Sequence, residues 1–128
     1  MYKRQVHSIR IGDNTNIQDN ATIHCTYKTA PTTIGSNVTI GHNAIVHGCT
    51  LEDNVLIGMG SIVMDHAVIK KGAIIAAGAV VLENTVVEEN CIYAGVPAKK
   101  VKQVEESNVQ MMERIANNYI KYASWFKD

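Results

Sequence analysis

Five histidines, His7, His24, His42, His47 and His66, are the side chains of this 128-residue chain best suited to chemistry. A neutral imidazole is a good zinc ligand, and three of them with a fourth position left to water make the pattern of a catalytic zinc site. His42 and His47 lie five residues apart, and His24 directly precedes Cys25. The three cysteines, Cys25, Cys49 and Cys91, are odd in number, widely spaced and outside any CxxC pattern, which speaks against a disulfide framework or a zinc knuckle. Cys25 could ligate a metal beside His24, but a small filler is the role its surroundings suggest. Which histidines can meet is a question of the elements that carry them.

Those elements are set by a repeat. Aliphatic residues recur at Val6, Ile11, Ile17, Ile23, Ile34, Ile40, Val46, Leu51, Ile57, Val63, Ile69, Ile75, Val81 and Val87, mostly in steps of six. Two steps of five, Val6 to Ile11 and Val46 to Leu51, and one of eleven, Ile23 to Ile34, interrupt it; the last reads as a five-residue loop insertion. Four residues after most marks comes a small or β-branched residue such as Thr15, Ala21, Val38, Ala44, Val55, Ser61 or Ala73. Asn, Asp or Gly stands near the next corner, where a tight turn needs unusual dihedrals. An antiparallel sandwich would alternate with period two and would not hold phase in six over this length. The pattern predicts a left-handed parallel β-helix of hexapeptide repeats, three hexapeptides to a triangular coil, with marks three apart stacked about 4.8 Å from each other on one face. Val6, Ile23, Val46, Val63 and Val81 would share a face.

The register then sorts the histidines. His24 and His47 each follow a mark on that shared face in successive coils, so they should stack side by side near one edge of the prism, where two imidazoles can converge on one zinc. His42, two places after Ile40, belongs to the neighbouring face and points around the corner away from that pair; a threefold homotrimer would bring it to the pair of another subunit. His7 falls one coil below His24, and His66 reads as a turn residue.

After Tyr93 the run Tyr93-Ala94-Gly95-Val96-Pro97-Ala98-Lys99 breaks the repeat, because proline removes a ladder donor. Ser107 with Gln110 makes a capping box, and Val109, Met112, Ala116, Tyr119, Ala123 and Phe126 recur at steps of three and four, which predicts a C-terminal α-helix. The chain therefore divides into a β-helix over 6–98, a linker over 99–107 and a helix over 108–128. Twelve basic residues balance twelve acidic ones, without a Lys/Arg cluster, so neither nucleic acid nor an anionic membrane is favoured as partner. No stretch approaches a membrane span of roughly 20 apolar residues. Free cysteines fit a reducing, cytoplasmic setting.

The segments Asn16-Ile17-Gln18-Asp19, Ile23-His24 and Ile40-Gly41-His42-Asn43-Ala44-Ile45-Val46-His47-Gly48-Cys49 resemble the gamma-class carbonic anhydrases and their hexapeptide-repeat relatives. The resemblance implies a homotrimer whose zinc, or iron in some members, is held by His24 and His47 of one subunit and His42 of the next. It implies that Gln18 orients the reacting hydroxide, that Asn16 and, on the helix, Tyr119 belong to the active site, and that Asp19 is interfacial. The activity it implies is reversible hydration of carbon dioxide to bicarbonate. The alternatives are a hexapeptide-repeat acyltransferase or acyl-CoA thioesterase with His47 as general base, and a non-catalytic metal-binding scaffold subunit.

Two features depart from the family pattern. Highly active members carry an acidic loop with a proton-shuttling glutamate after the first histidine, whereas Cys25-Thr26-Tyr27-Lys28-Thr29-Ala30-Pro31 has no carboxylate, so slow proton export is expected. The family's Arg-Gly-Asp before the first mark, whose arginine pairs with the residue matching Asp19, is here Arg4-Gln5. Met1-Tyr2-Lys3-Arg4-Gln5 is what GTG TAT AAG AGA CAG encodes, the end of a transposon sequence used in sequencing libraries. Residues 1–5 therefore read as a non-native scar on an N-terminally truncated reading frame.

Overall fold

The computed structural model describes residues 9–25 and 31–105. His7, Tyr119, the expected helix over 108–128, residues 1–5 and the tip of the loop after Cys25 lie outside the described residues.

Strands two to five residues long follow one another around three faces. The first coil is β1 (Ile9–Ile11), β2 (Asn16–Ile17) and β3 (Thr22–His24); the second is β4 (Thr32–Ile34), β5 (Thr39–Ile40) and β6 (Ile45–His47). The third is β7 (Thr50–Leu51), β8 (Leu56–Ile57) and β9 (Ile62–Val63), and the fourth is β10 (Val68–Ile69), β11 (Ile74–Ile75) and β12 (Val80–Val81). Then come β13 (Val86–Val87), β14 (Cys91–Ala94) and β15 (Lys99–Gln103). From β1 to β14 every third strand pairs in parallel, giving one sheet in the order β1-β4-β7-β10-β13, a second as β15-β14-β11-β8-β5-β2, with β15 added antiparallel at its end, and a third as β12-β9-β6-β3. This is the expected parallel β-helix, and Ile23, Val46, Val63 and Val81 stack in register on the third sheet.

The hexapeptide works because a two-residue strand buries one side chain and a tight corner buries another. The marks Ile34, Ile40, Val46, Leu51, Ile57, Val63, Ile69, Ile75, Val81 and Val87 are all buried, as are the residues four places on, among them Val38, Ala44, Val55, Ala67 and Ala73. Burial of each Ile, Leu or Val contributes about 1.5–3 kcal/mol. The corners turn through a residue of positive φ, usually asparagine: Asn14, Asn20, Asn37, Asn43, Asn54, Asn84 and Asn90 lie between 54° and 62°. Asparagine tolerates that region better than other side chains of its size. His66 holds the same place at 62° and is exposed, so it is a turn residue as expected.

The two ends differ. Ile11 and Ile17, marks of the first coil, are 46% and 40% exposed. The other end is closed by β15, which occupies 99–103 of the stretch expected as a linker over 99–107. After the turn at Gly95–Pro97 the chain reverses and β15 pairs antiparallel with β14, from Cys91 opposite Gln103 to Ala94 opposite Lys99, with a register shift between Ile92 and Tyr93. Proline does interrupt the parallel ladder, but it does so in the turn, where no strand donor is needed. The Tyr93 hydroxyl donates to Glu88 Oε2 at 3.3 Å, and Lys100 Nζ meets Glu88 Oε1 at 3.4 Å, tying the reversal to the last coil.

Candidate metal centre

The third sheet fixes His24 and His47 by register. β3 and β6 pair Thr22 with Ile45, Ile23 with Val46 and His24 with His47. Because Ile23 and Val46 face the core, the next residue on each strand faces outward, and the two imidazoles lie one above the other. Their ring centroids are 4.7 Å apart and their planes 24° from parallel. His24 Nδ1 faces His47 Nε2 at 2.9 Å. Two ligands at 2.0–2.1 Å from a tetrahedral zinc stand about 3.3 Å apart, so the two facing nitrogens need to part by only about 0.4 Å to share one ion.

The backbone beneath the pair is held by a buried hydroxyl. Thr32, where the chain re-enters after the inserted loop, donates its Oγ1 hydrogen to the His24 carbonyl at 2.5 Å and accepts from the Gly48 N–H at 2.9 Å. Gly48 N–H also reaches the His24 carbonyl at 2.8 Å. The five-residue step from Val46 to Leu51 thus turns at Gly48, whose φ of 54° suits a residue without Cβ.

A carboxylate that the sequence reading did not single out completes this side. Asp65 Oδ1 lies 2.5 Å from His47 Nδ1, with the two side chains 21% and 36% exposed. Asp65 opens the Asp65-His66 corner that follows β9, one coil beyond His47, and the His66 N–H to Gly48 carbonyl bond of 2.8 Å stacks that corner on the Gly48 turn. The signal available in the sequence was the repeat itself, carried one coil further and one residue past the stacked position.

His42 stands elsewhere. It occupies the corner Gly41-His42-Asn43-Ala44 between β5 and β6, closed by the Ala44 N–H to Gly41 carbonyl bond of 3.3 Å with Asn43 at φ 59°. Gly41 must be glycine there, since a Cβ would come 2.6 Å from the Met59 nitrogen of the next coil. His42 is half-buried at the edge where β6 begins, whereas His47 ends β6, so a strand of about 10 Å separates them. The same edge carries Gln18 and Asp19 one coil below, and the Asn43 N–H to Asp19 carbonyl bond of 3.2 Å stacks the two corners. Asp19 is exposed and Gln18 half-buried. Asn16, in β2 beside Thr39, has its Nδ2 buried without a hydrogen-bond partner. Among the described residues, no three His, Cys, Asp or Glu side chains of one chain form a group that could hold a metal ion. The chain therefore brings His24 and His47 together and keeps His42, Gln18, Asp19 and Asn16 on the other side of the strands between.

Cys49, in the core behind this turn, is inert: burial pushes its thiol up to about 12. Cys25 is buried, in keeping with a filler.

Residues 48–83 match the bacterial transferase hexapeptide family (six repeats), and 31–64 match the hexapeptide repeat of succinyl-transferase. A relative named "Probable carbonic anhydrase" from Methanocaldococcus jannaschii is 43% identical over 116 residues, covering 91% of this chain and 72% of the relative. The chain belongs to the gamma carbonic anhydrase family of hexapeptide-repeat proteins. Within that family, Gamma carbonic anhydrase 2, mitochondrial, of Arabidopsis thaliana is 40% identical over 123 residues; the match covers 92% of this chain and spans 44% of the length of that relative. Among solved structures, a hexapeptide transferase family protein from Anaplasma phagocytophilum superposes with a TM-score of 0.85 at 40% identity, covering 91% of this chain and 68% of that one.

Proposed function

We propose that this chain is a metal-dependent carbonic anhydrase subunit that hydrates carbon dioxide reversibly to bicarbonate at a site shared between copies of a homotrimer. His24 and His47 of one copy and His42 of the next would hold a zinc or ferrous ion. The observation that carries the reading is the stacked pair with its facing nitrogens 2.9 Å apart, two ligands of a three-histidine set on a scaffold that separates the third. An ion held there would lower the pKa of a bound water to about 7 and so supply the nucleophile at neutral pH.

The chain's own side chains then position and exclude. Gln18 shares an edge with His42, so it would enter the same site from the same neighbour, where its amide can hold the attacking oxygen in line with carbon dioxide. Asn16, with a buried amide nitrogen lacking a partner, is suited to donate a hydrogen bond into that edge once a second copy covers it. Tyr119 is assigned to the site by the family resemblance. The loop after His24 offers no carboxylate to carry the released proton away, so turnover would be limited by buffer.

One observation favours a second reading. A histidine with a carboxylate on Nδ1 is also the arrangement of a general base, and the A. phagocytophilum relative carries a transferase name. Acyl transfer from a thioester with His47 as base would need no metal. Metal analysis of the purified protein, with a carbon dioxide hydration assay and an acetyl-CoA turnover assay before and after chelation, separates the two. Hydration lost on chelation and restored by zinc or ferrous ion is expected; chelator-insensitive thioester turnover without hydration would overturn the proposal.

A further inference from the structure

The two ring nitrogens of His47 are both engaged, and the partners are unlike. Nδ1 lies 2.5 Å from a carboxylate oxygen of Asp65, and Nε2 lies 2.9 Å from His24 Nδ1. A carboxylate can only accept, so Nδ1 carries the proton and Nε2 presents its lone pair toward His24. Free imidazole has no such bias toward the Nδ1–H form, and an imidazole protonated on Nε2 could not ligate from the side that faces His24. The ring's direction is also fixed, since it is held at opposite corners by groups on two different coils.

We infer that Asp65 is the positioning residue of the metal centre: it fixes His47 as the Nδ1–H tautomer, aims Nε2 into the space shared with His24 and makes that nitrogen a stronger ligand. The inference rests on the reading of His24 and His47 as ligands. Asp65 touches neither metal nor substrate and acts through His47, as outer carboxylates do behind histidine ligands in general. The fold favours the contact. Gly48, stacked on the Asp65-His66 corner, has no side chain, whereas the equivalent corner between β5 and β6 carries His42. With His47 as the neutral Nδ1–H form, the shared hydrogen of the 2.9 Å contact belongs to His24 Nδ1.

The test uses the full chain labelled with ¹⁵N-histidine, metal-free and at about pH 8, above the usual imidazole range. Long-range ¹H–¹⁵N spectra report the tautomer, and titration with zinc sulfate alone reports affinity. The wild-type chain is expected to show His47 as Nδ1–H. Asp65→Ala is expected to release it toward the Nε2–H form and to weaken zinc binding by about 10–100-fold. Asp65→Asn, which keeps an acceptor and nearly the same shape, is expected to retain the Nδ1–H tautomer with an affinity between the two, and it keeps the inference testable if the alanine variant does not fold. A zinc affinity in Asp65→Asn and Asp65→Ala within twofold of wild type would overturn the inference, as would weakened binding with an unchanged tautomer in Asp65→Ala, the mark of a merely structural role. Failure of the underlying metal reading looks different: the wild-type chain would bind no zinc while its tautomer still answered to Asp65.

Discussion

A histidine stands in the corner before β6 and another at the end of β6, and the two have contrasting surroundings. At the end of β6 His47 is stacked on His24, tied to Asp65 and underlain by the Thr32 hydroxyl bridge, so the chain itself arranges the imidazole. Before β6 His42 stands on a bare corner between Asp19 and Met59 in neighbouring coils, positioned by backbone alone through the Asn43 and Gly60 N–H bonds. The difference teaches that a parallel β-helix can preorganise two ligands by ladder register, because strand spacing matches the reach of two imidazoles on one ion. It cannot bring the third round its own edge. In the proposed homotrimer a second copy would supply it, and cyclic symmetry would present the same corner to the same pair at every interface.

The contrast can be broken first by removing ligands. His24→Ala, His42→Ala and His47→Ala should each lower zinc affinity by more than the roughly 100-fold that loss of an outer partner costs, read by metal content after dialysis. Equal retention in His42→Ala and wild type would remove His42 from the site. His66→Gly is the matched control. It relieves a left-handed histidine at φ 62°, so thermal unfolding should show a gain of about 0.5–1 kcal/mol with metal content unchanged.

The backbone-built edge is probed by Gly41→Ala. The added Cβ would meet the Met59 nitrogen at 2.6 Å, so a loss of about 1–3 kcal/mol in denaturant unfolding is expected together with weakened metal binding, since His42 is the next residue. Stability unchanged to within a few tenths would show that the corner can shift freely.

A smaller effect is expected at Asp19. The family resemblance pairs Asp19 with the arginine of an Arg-Gly-Asp where this sequence reads Arg4-Gln5, so in the proposed trimer Asp19→Asn should leave the assembly as strong as before or strengthen it. Sedimentation over a dilution series reads this, and a clear loss of trimer would reveal a cation still paired with Asp19. Smallest of all, Cys49 should resist alkylation at about pH 8 in the native protein, where a free thiol reacts, because its thiolate is suppressed by burial. Rapid labelling of the folded chain at Cys49 would contradict that.

Much of this was legible in the residues. Steps of six between Ile34 and Val87, with the single step of five from Val46 to Leu51, determine which strands pair, and the place of His24 and His47 just after stacked marks determines their contact. The separation of His42 follows from the same count. Asp65 was harder to read, because a stacking argument pairs His47 with Met64, and the carboxylate that meets the ring stands one residue further on. The strand β15 was missed for a different reason. Lys99-Lys100-Val101-Lys102-Gln103 has no apolar alternation, and all five residues are exposed; its partner is the backbone edge of β14, which a side-chain pattern does not announce.

The most direct test of the shared centre is a mixing experiment. His24→Ala chains lack one member of the pair but keep His42; His42→Ala chains lack the corner histidine but keep the pair. Neither alone should hold zinc. Dissociated, mixed in equal amounts and reassembled, random pairing should rebuild about one quarter of the sites at interfaces that join an intact pair to an intact corner, measured as zinc bound per subunit and carbon dioxide hydration regained. Zinc no higher than in the unmixed parents, from trimers shown to contain both chains, would contradict a site shared between subunits.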